Sequence, residues 1–336
     1  MSCKGLSLMS GGLDSQLAIR VLQRAGAYVE AVCFSTPFFD ISAAQKAADA
    51  LGVTLHVIDF TDDEIGLIKD PPHGFGGAMN PCIDCHALMI RRAGELMERL
   101  GFDFVATGEV MGQRPMSQNK QSLGIVERSS GLKGRLVRPM SAKLLEPTQP
   151  EIEGKLDREA LLDISGRGRE RQIALAAEFG IVDYPSPAGG CKLTEDGFGR
   201  KLKDLKEHEG LDNRRFVELL LVGRRFRLPG GSGVVLGRDR VENLALRDFY
   251  ARSVRDGDCG RLAALAPVNV PGPTALVLEL VADDLPLAEG LVCAYSRYDR
   301  LPGDVRLSVR RIAQDDALVE VPRPYVRERY KEYQIC

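Results

Sequence analysis

No stretch of this 336-residue chain restricts its fold more than Ser10-Gly11-Gly12-Leu13-Asp14-Ser15. It follows the short apolar run Gly5-Leu6-Ser7-Leu8-Met9 and opens the helical pattern Gln16-Leu17-Ala18-Ile19-Arg20-Val21-Leu22. Strand, glycine turn and helix N-terminus in that order make a cradle for pyrophosphate. The glycines let backbone N–H groups approach phosphate oxygens with no Cβ in the way. The first helical turn adds its unpaired amides and the positive end of its dipole. The spacing is not that of the Walker loop, which needs a Lys after its last Gly, nor the GxGxxG of dinucleotide folds. A serine- and glycine-rich turn can also be only a tight connection, but the strand–loop–helix context argues against that here.

Residues 1 to about 110 alternate strand and helix. Strand-like runs fall near 5–9, 28–34, 53–59 and 103–107, and helical patterns near 15–25, 42–51 and 85–100, closed by Gly26, Gly52 and Gly101. This alternation predicts an α/β fold: a doubly wound parallel sheet that binds ligands at the carboxyl ends of its strands. Phe34 and Ser35 end the second strand, and Thr107 and Gly108 end a later one on the same edge. They are candidate adenosine contacts, or ordinary β–α turns. Residues 111–150 are loop-rich and basic, and 155–206 hold short helices around the break Tyr184-Pro185-Ser186-Pro187-Ala188-Gly189-Gly190-Cys191. Beyond about 208, a helix near 212–222 leads into strand-like pieces at 224–228, 233–237, 275–281, 305–311 and 317–321. Three domains are therefore expected: a nucleotide domain over 1–150, a helical extension over 151–207, and a smaller α+β module over 208–336.

The length suits two or three domains, and a hydrophobic content of 44% with 27% charged residues is ordinary for a soluble protein. No apolar run approaches the ~18–20 residues that span a bilayer, and the N-terminus does not read as a leader. A cytoplasmic protein without membrane contact is expected. The net charge of −2 does not advertise a nucleic-acid partner, but residues 112–143 carry seven Lys or Arg against one acid, and 200–256 carry fourteen against nine. Segregated positive charge suits a polyanion track, with solvated loops and helix faces as the plain alternative.

Eight cysteines in a reducing compartment do not read as a disulfide framework. Cys33 lies in the apolar run 29–34 and reads as core, while Cys3, Cys259, Cys293 and Cys336 have no partner motif. Cys82 and Cys85, in Asn80-Pro81-Cys82-Ile83-Asp84-Cys85-His86, open a helix and share one of its faces. The helix dipole there predicts lowered thiol pKa values. With Cys191 as a third thiol, four chemistries stay open. A c-type haem fits CxxCH literally but calls for export. A zinc staple would use the three cysteines and His86. A redox or persulfide pair needs only two thiols. An iron–sulfur cluster on three thiolates would leave one iron free to hold hydrosulfide or a substrate atom.

SGGLDS, then NPCIDC, then Gly189-Gly190-Cys191 about a hundred residues later, resembles the tRNA thiouridine synthases of the PP-loop ATP pyrophosphatase superfamily. The stretches Ile164-Ser165-Gly166-Arg167-Gly168-Arg169-Glu170-Arg171-Gln172 and Pro187-Ala188-Gly189-Gly190-Cys191-Lys192-Leu193-Thr194 bring it nearer the group that makes 4-thiouridine or 2-thiouridine with an iron–sulfur cluster than the wobble-uridine 2-thiouridylases. The resemblance covers about residues 5–206. In Ala106-Thr107-Gly108-Glu109, a glutamate stands where wobble thiouridylases have a histidine, which puts the wobble uridine in doubt as target. SGGLDS begins at residue 10, so the THUMP domain that precedes many 4-thiouridine synthases is not expected. In the tail, Gly237-Arg238-Asp239-Arg240-Val241-Glu242-Asn243-Leu244-Ala245-Leu246 and Gly272-Pro273-Thr274-Ala275 resemble the RNA-binding domain of NFACT proteins, with a capping or oligomerisation domain as the alternative.

The resemblance implies that a uridine carbonyl oxygen attacks the α-phosphorus of ATP, and that sulfur then displaces AMP. Ser10, Gly11, Gly12 and Ser15 would hold the β and γ phosphates, and Asp14 a Mg²⁺ ion. Cys82, Cys85 and Cys191 would ligate a 4Fe–4S cluster or, in the alternative, carry a persulfide. Arg114, Lys143, Arg167, Arg169 and Arg171 are candidates for phosphates of ATP or tRNA. The implied partners are tRNA and a sulfur donor, either sulfide or a cysteine desulfurase relay. A homodimer is left open, as are the uridine and its carbonyl.

Overall fold

The computed structural model describes residues 3–114, 117–186, 191–257, 261–299, 301–311 and 316–336. The chain divides into two compact units, Met1–Thr194 and Glu195–Cys336.

In the first unit, β1 (Lys4–Leu8), β2 (Tyr28–Ser35), β3 (Leu55–Asp59), β4 (Phe104–Ala106) and β5 (Leu136–Val137) form one sheet in the order β3-β2-β1-β4-β5. Every pairing is parallel. The inner strands β1, β2 and β4 are largely buried because both faces of the sheet are covered there. On β2, Val29, Ala31 and Cys33 join a core with Leu17, Val21 and Ala47, whereas Val32 and Phe34 join another with Ile90 and Met97. The first core takes α1 (Leu13–Arg24) and α2 (Ser42–Leu51); the second takes α4 (Cys82–Leu100) and α5 (Lys120–Ser130). Gly52 and Gly101 cap α2 and α4 in the left-handed conformation, as their spacing predicts. The winding reverses between β1 and β4, so the crevice at their carboxyl ends is the switch point where ligands of open α/β sheets bind.

Elements in stretches the sequence left vague complete the unit. Helix α3 (Thr61–Lys69) begins with three acids in its first turn, which mask its short apolar stripe. Helix α5 and the two-residue β5 fall in the segment read as loop-rich. After α6 (Gln149–Ile152) and α7 (Glu170–Glu178), residues 151–181 lie against the α1 side of the sheet through Leu156, Leu161, Ile164, Ala176 and Ile181. That packing makes them part of the nucleotide unit, so its limit falls at Thr194 rather than at 150.

The second unit holds α8 (Asp196–His208), α9 (Arg214–Glu218), β6 (Arg224–Arg227), β7 (Gly233–Leu236), α10 (Arg240–Asp256), β8 (Ala263–Pro267), β9 (Ala275–Leu278), α11 (Leu285–Ala294), β10 (Val305–Arg311), β11 (Ala317–Val321) and β12 (Gln334–Ile335). Its sheet runs β11-β10-β8-β9-β7-β6-β12 with every pairing antiparallel. Helix α8 is anchored here rather than in the front unit. Its Asp204 accepts from Arg225 Nε (2.8 Å) and Arg227 Nη2 (2.7 Å), and Glu209 accepts from Arg225 Nη2 (2.6 Å). A boundary at 207 would cut this network. The GRD and GPT segments of the tail bind α10 to the sheet. Asp239 caps the helix, accepting from Glu242 N (3.0 Å), and Asn243 Oδ1 accepts from Thr274 N (2.8 Å). Among the described residues, no helix is long and apolar enough to cross a membrane.

Candidate active site

The Ser10–Ser15 loop is held open by its backbone. Gly11 sits at φ 79°, and a Cβ there would lie 2.4 Å from the Ala43 carbonyl carbon, so only glycine fits. Gly12 is the extended N-cap of α1 and offers no side chain, leaving the first-turn amides free for an anion. Gln16 Nε2 donates to Gly11 O (2.9 Å) and Asp183 O (3.1 Å), which fixes the turn from below. Ser15 Oγ donates to Gly12 O (2.8 Å), and Ser10 Oγ accepts from Gly12 N (3.3 Å). Asp14 Oδ2 accepts from Gln113 Nε2 (3.0 Å), while its Oδ1 is buried and unpartnered. An orphaned carboxylate oxygen beside a phosphate cradle fits a Mg²⁺ ligand. Gly108 closes the wall, since a Cβ there would lie 2.7 Å from the Asp14 carbonyl and from Ser15 N.

The other candidate nucleotide contacts divide. Thr107 is buried beside Gly108 and its hydroxyl donates to Glu109 Oε2 (3.1 Å). Ser35 ends β2, half-buried. The Phe34 ring packs in the core, edge-on to Phe60 at 5.2 Å, so it is not a free adenine platform.

The two thiols of the helix start lie one turn apart on α4. Asn80 Nδ2 donates to Cys82 Sγ (3.1 Å), and Cys85 Sγ donates to Glu64 Oε1 (3.7 Å). Asp84, between them, accepts from His73 N (2.9 Å) and ties down the preceding loop. Cys191 joins them from the far end of the unit, its segment held where Lys192 N donates to Phe38 O (3.1 Å). The three thiols share one electrostatic neighbourhood. Burial pushes Cys85 well above its ordinary value, with Glu64, Cys191 and Cys82 adding to it. Burial also pushes Cys191 up to about 12, with Glu64 and Cys82 adding and Arg114 opposing. The expected lowering by the helix dipole is therefore overturned at Cys85: desolvation and a neighbouring acid outweigh a terminus effect of ~1 kcal/mol.

Glu64 is the residue that sequence reasoning missed. It lies on α3, fully buried, and burial pushes its carboxyl up to about 7 against the opposing bonds from Thr36 and Cys85. The only signal in the sequence is an acid in an apolar stripe, Glu64-Ile65-Gly66-Leu67-Ile68, which a first-turn position explains away.

Among the described residues, no group of three or more His, Cys, Asp or Glu is close enough to hold a single metal ion. Zn–S bonds near 2.3 Å put zinc-bound sulfurs about 3.8 Å apart, whereas a cluster spreads its thiolates over several irons. His86, the fourth zinc candidate, is committed elsewhere, its Nδ1 3.0 Å from Glu109 Oε1. Glu109 in turn accepts from Arg138 Nε (2.9 Å), and this buried group braces α4 against the exit of β4. Gly189 and Gly190 of the cysteine motif lie outside the described residues, as does Cys259.

Gln113 and Arg114 connect the two halves: the first touches Asp14 and the second bears on Cys191. Arg114 and Arg167 are exposed; Lys143 is paired with Glu159 (3.0 Å) and Arg171 with Asp163 (2.7 Å), and Arg169 has a buried, unpartnered Nε. The positive charge read along 112–143 and 200–256 is thus partly consumed internally, by Arg138, Arg225 and Arg227 above all.

The lysine-free glycine cradle thus lies at the switch point of a parallel, doubly wound sheet. Residues 1–142 match the family model described as Thiamine biosynthesis protein (ThiI). A tRNA-specific 2-thiouridylase MnmA of Sulfurimonas denitrificans is 37% identical over 120 residues, covering 32% of this chain and 35% of that protein. A probable tRNA sulfurtransferase of Caldanaerobacter subterraneus subsp. tengcongensis is 31% identical over 138 residues, covering 38% of this chain and 35% of that protein. The chain thus spans about a third of the length of these curated relatives. The crystal structure of a 4-thiouridine synthetase–RNA complex with bound ATP has a TM-score of 0.40 at 21% identity, over 64% of this chain and 52% of that one.

Proposed function

We propose that this chain thiolates a uridine of tRNA, at the 4- or 2-position, through an adenylated base. A uracil carbonyl oxygen is a poor leaving group. Its attack on the α-phosphorus of ATP forms a C–O–P link and releases pyrophosphate. Hydrosulfide sulfur then bonds to the same carbon, the C–O bond breaks, AMP leaves with its electron pair, and the sulfur's proton is lost to solvent. The first-turn amides of α1 hold the departing phosphates, and Asp14 Oδ1 would hold a Mg²⁺ ion, which would offset their charge. Cys82, Cys85 and Cys191 would hold a 4Fe–4S cluster, which would supply a place for hydrosulfide to bind.

The observation that supports this reading most is the adjacency of Gln113 and Arg114. Gln113 touches the phosphate loop, and the charge of its neighbour Arg114 reaches Cys191, which supports activation and sulfur delivery at one site. Burial of Cys85 favours cluster ligation over a persulfide carrier, which needs an accessible thiolate. Arg114 and Arg167 are the better placed of the five basic candidates for RNA phosphate, with the NFACT-like second unit as a further RNA contact. The sulfur donor is sulfide or a desulfurase relay.

Anaerobic incubation of the holoprotein with unmodified tRNA, ATP, Mg²⁺ and sulfide, followed by mass spectrometry of the nucleosides, tests the reading. A thionucleoside appearing with matching AMP and pyrophosphate is expected. Pyrophosphate release driven by ammonia or an amino acid, with no thionucleoside, overturns it.

A further inference from the structure

Glu64 has no part in the adenylation chemistry above. Its side chain is fully buried on α3, behind the end of β2. Oε1 accepts from the Cys85 thiol at 3.7 Å, the Thr36 hydroxyl provides the other bond, and Oε2 is buried with no partner. Among the described residues, no basic side chain is paired with it. After burial, its charge is the foremost influence on both Cys85 and Cys191. It therefore lies against Cys85, with Cys191 within reach of its charge.

Burying a carboxylate without a cation costs several kcal/mol, and a Gln or Met could fill the same volume for less. A carboxylate oxygen left bare beside three thiols becomes favourable once positive metal charge arrives. We propose that Glu64 is the fourth protein ligand of this site, occupying the side that Cys82, Cys85 and Cys191 leave open and yielding it to hydrosulfide. The inference rests on the cluster reading above. A hard oxygen donor binds iron more weakly than a sulfur anion does, so a carboxylate can protect the position from water and still give way. The exchange replaces one anion by another and needs no oxidant or reductant. A fourth cysteine would hold the position too tightly, and a glutamine would leave it uncharged.

The test uses wild-type, Glu64→Gln and Glu64→Asp holoproteins, reconstituted anaerobically, freed of excess sulfide and titrated with sodium sulfide. Iron content, visible spectrum and EPR of the reduced form are the readouts. Glu64→Gln should keep its iron and colour, change its EPR spectrum before sulfide is added, and reach half-saturation at about tenfold lower sulfide because no carboxylate competes. Glu64→Asp should fall between. Glutamine is the shape of a neutral acid, so superimposable spectra and titrations for wild type and Glu64→Gln overturn the proposal. Should Glu64→Gln not fold, iron X-ray absorption of the wild type decides. An oxygen shell that sulfide removes supports the ligand, and an all-sulfur shell before sulfide refutes it. A wild-type protein that takes up no cluster overturns the cluster reading as well, and is seen without any variant.

Discussion

Two buried glutamates sit near the same edge of the parallel sheet and are handled in opposite ways. Glu109, just past β4, meets Arg138 Nε at 2.9 Å, His86 Nδ1 at 3.0 Å and the Thr107 hydroxyl at 3.1 Å. Burial opposes its charge, but the Arg138 guanidinium and His86 overcome this and hold the carboxyl well below its usual range. Among the described residues Glu64 meets only a thiol and a hydroxyl, and burial pushes it up to about 7. The same fold satisfies one buried acid completely and leaves the other short of positive charge. Glu109 is therefore scaffold, bracing the cysteine helix on the nucleotide edge, and Glu64 faces the place where charge is to be supplied.

The comparison breaks most sharply if the thiols around Glu64 are dispensable. Cys82→Ala, Cys85→Ala and Cys191→Ala should each abolish thiolation and bleach the anaerobically purified protein, while circular dichroism stays that of the wild type. A colourless wild type that still thiolates, or one cysteine whose loss is silent, would show that Glu64 attends nothing.

On the other side, Glu109→Gln should cost stability rather than chemistry alone. It leaves Arg138, nearly inaccessible at 2% side-chain exposure, with the Leu123 carbonyl at 3.1 Å and, as its remaining carboxylate among the described residues, the weaker 3.4 Å contact to Glu127. Removing one partner of a buried pair costs about 3–5 kcal/mol, read as a shift in the urea midpoint. The two acids should also tilt the pH profile in opposite directions. For Glu109 the folded value lies below the unfolded ~4.3, so its contribution is present above that pH and lost as pH falls through the folded value. For Glu64 the folded value of about 7 lies above the unfolded one. In the metal-free protein its contribution is full below pH ~4.3 and falls away as pH rises toward 7, by roughly 3 kcal/mol at most. Urea titrations from pH 4 to 8 should therefore show a slope that Glu64→Gln removes and Glu109→Gln does not. Equal slopes in all three proteins would erase the distinction between the glutamates.

The difference between these glutamates also marks where sequence reading stops. The glycine cradle, the alternation through β4 and the three thiols were legible because each rests on local chemistry: a backbone that needs glycine, an apolar period, a pair of thiols one helical turn apart. The reach of Gln113 to Asp14, the burial of Arg138 and the contact of Glu64 with Cys85 on another helix are products of tertiary packing. A string of residues shows Arg138 as one more cation in a basic stretch and Glu64 as one more acid in a first helical turn. The place of Phe34 at a strand end suits either a ligand contact or an ordinary turn, but the two-residue alternation of β2 sends its ring into the core with Val32.

Gly108 lies between the anchored glutamate and the phosphate loop, so it tests whether the brace transmits position. A methyl at Gly108 would meet the Asp14 carbonyl and Ser15 N at 2.7 Å, with the Glu109 anchor next in sequence resisting any retreat. Gly108→Ala should displace the cradle rather than unfold the sheet, and an error of about 1 Å in position can cost ~100-fold in rate. Pyrophosphate release per tRNA should fall by that order, with the cluster spectrum unchanged. Loss of colour together with activity would mean that the nucleotide edge and the thiol trio fold as one block.

The smallest effects belong to ion pairs that water already screens. Lys143 and Glu159 meet at 3.0 Å and Arg171 and Asp163 at 2.7 Å, but each pair has at least one member more than half exposed. Such pairs are worth about 0.2–1 kcal/mol, because the charges keep their hydration and two long side chains must be held still. Lys143→Ala and Arg171→Ala should move the urea midpoint by no more than that, far below Glu109→Gln. Any change they produce in the KM for tRNA is then a phosphate contact and should weaken as salt rises, since neutralised phosphates release counterions. A salt-independent KM in both variants, equal to that of the wild type, would restrict these two cations to their present carboxylate partners and leave Arg114 and Arg167 to meet the RNA.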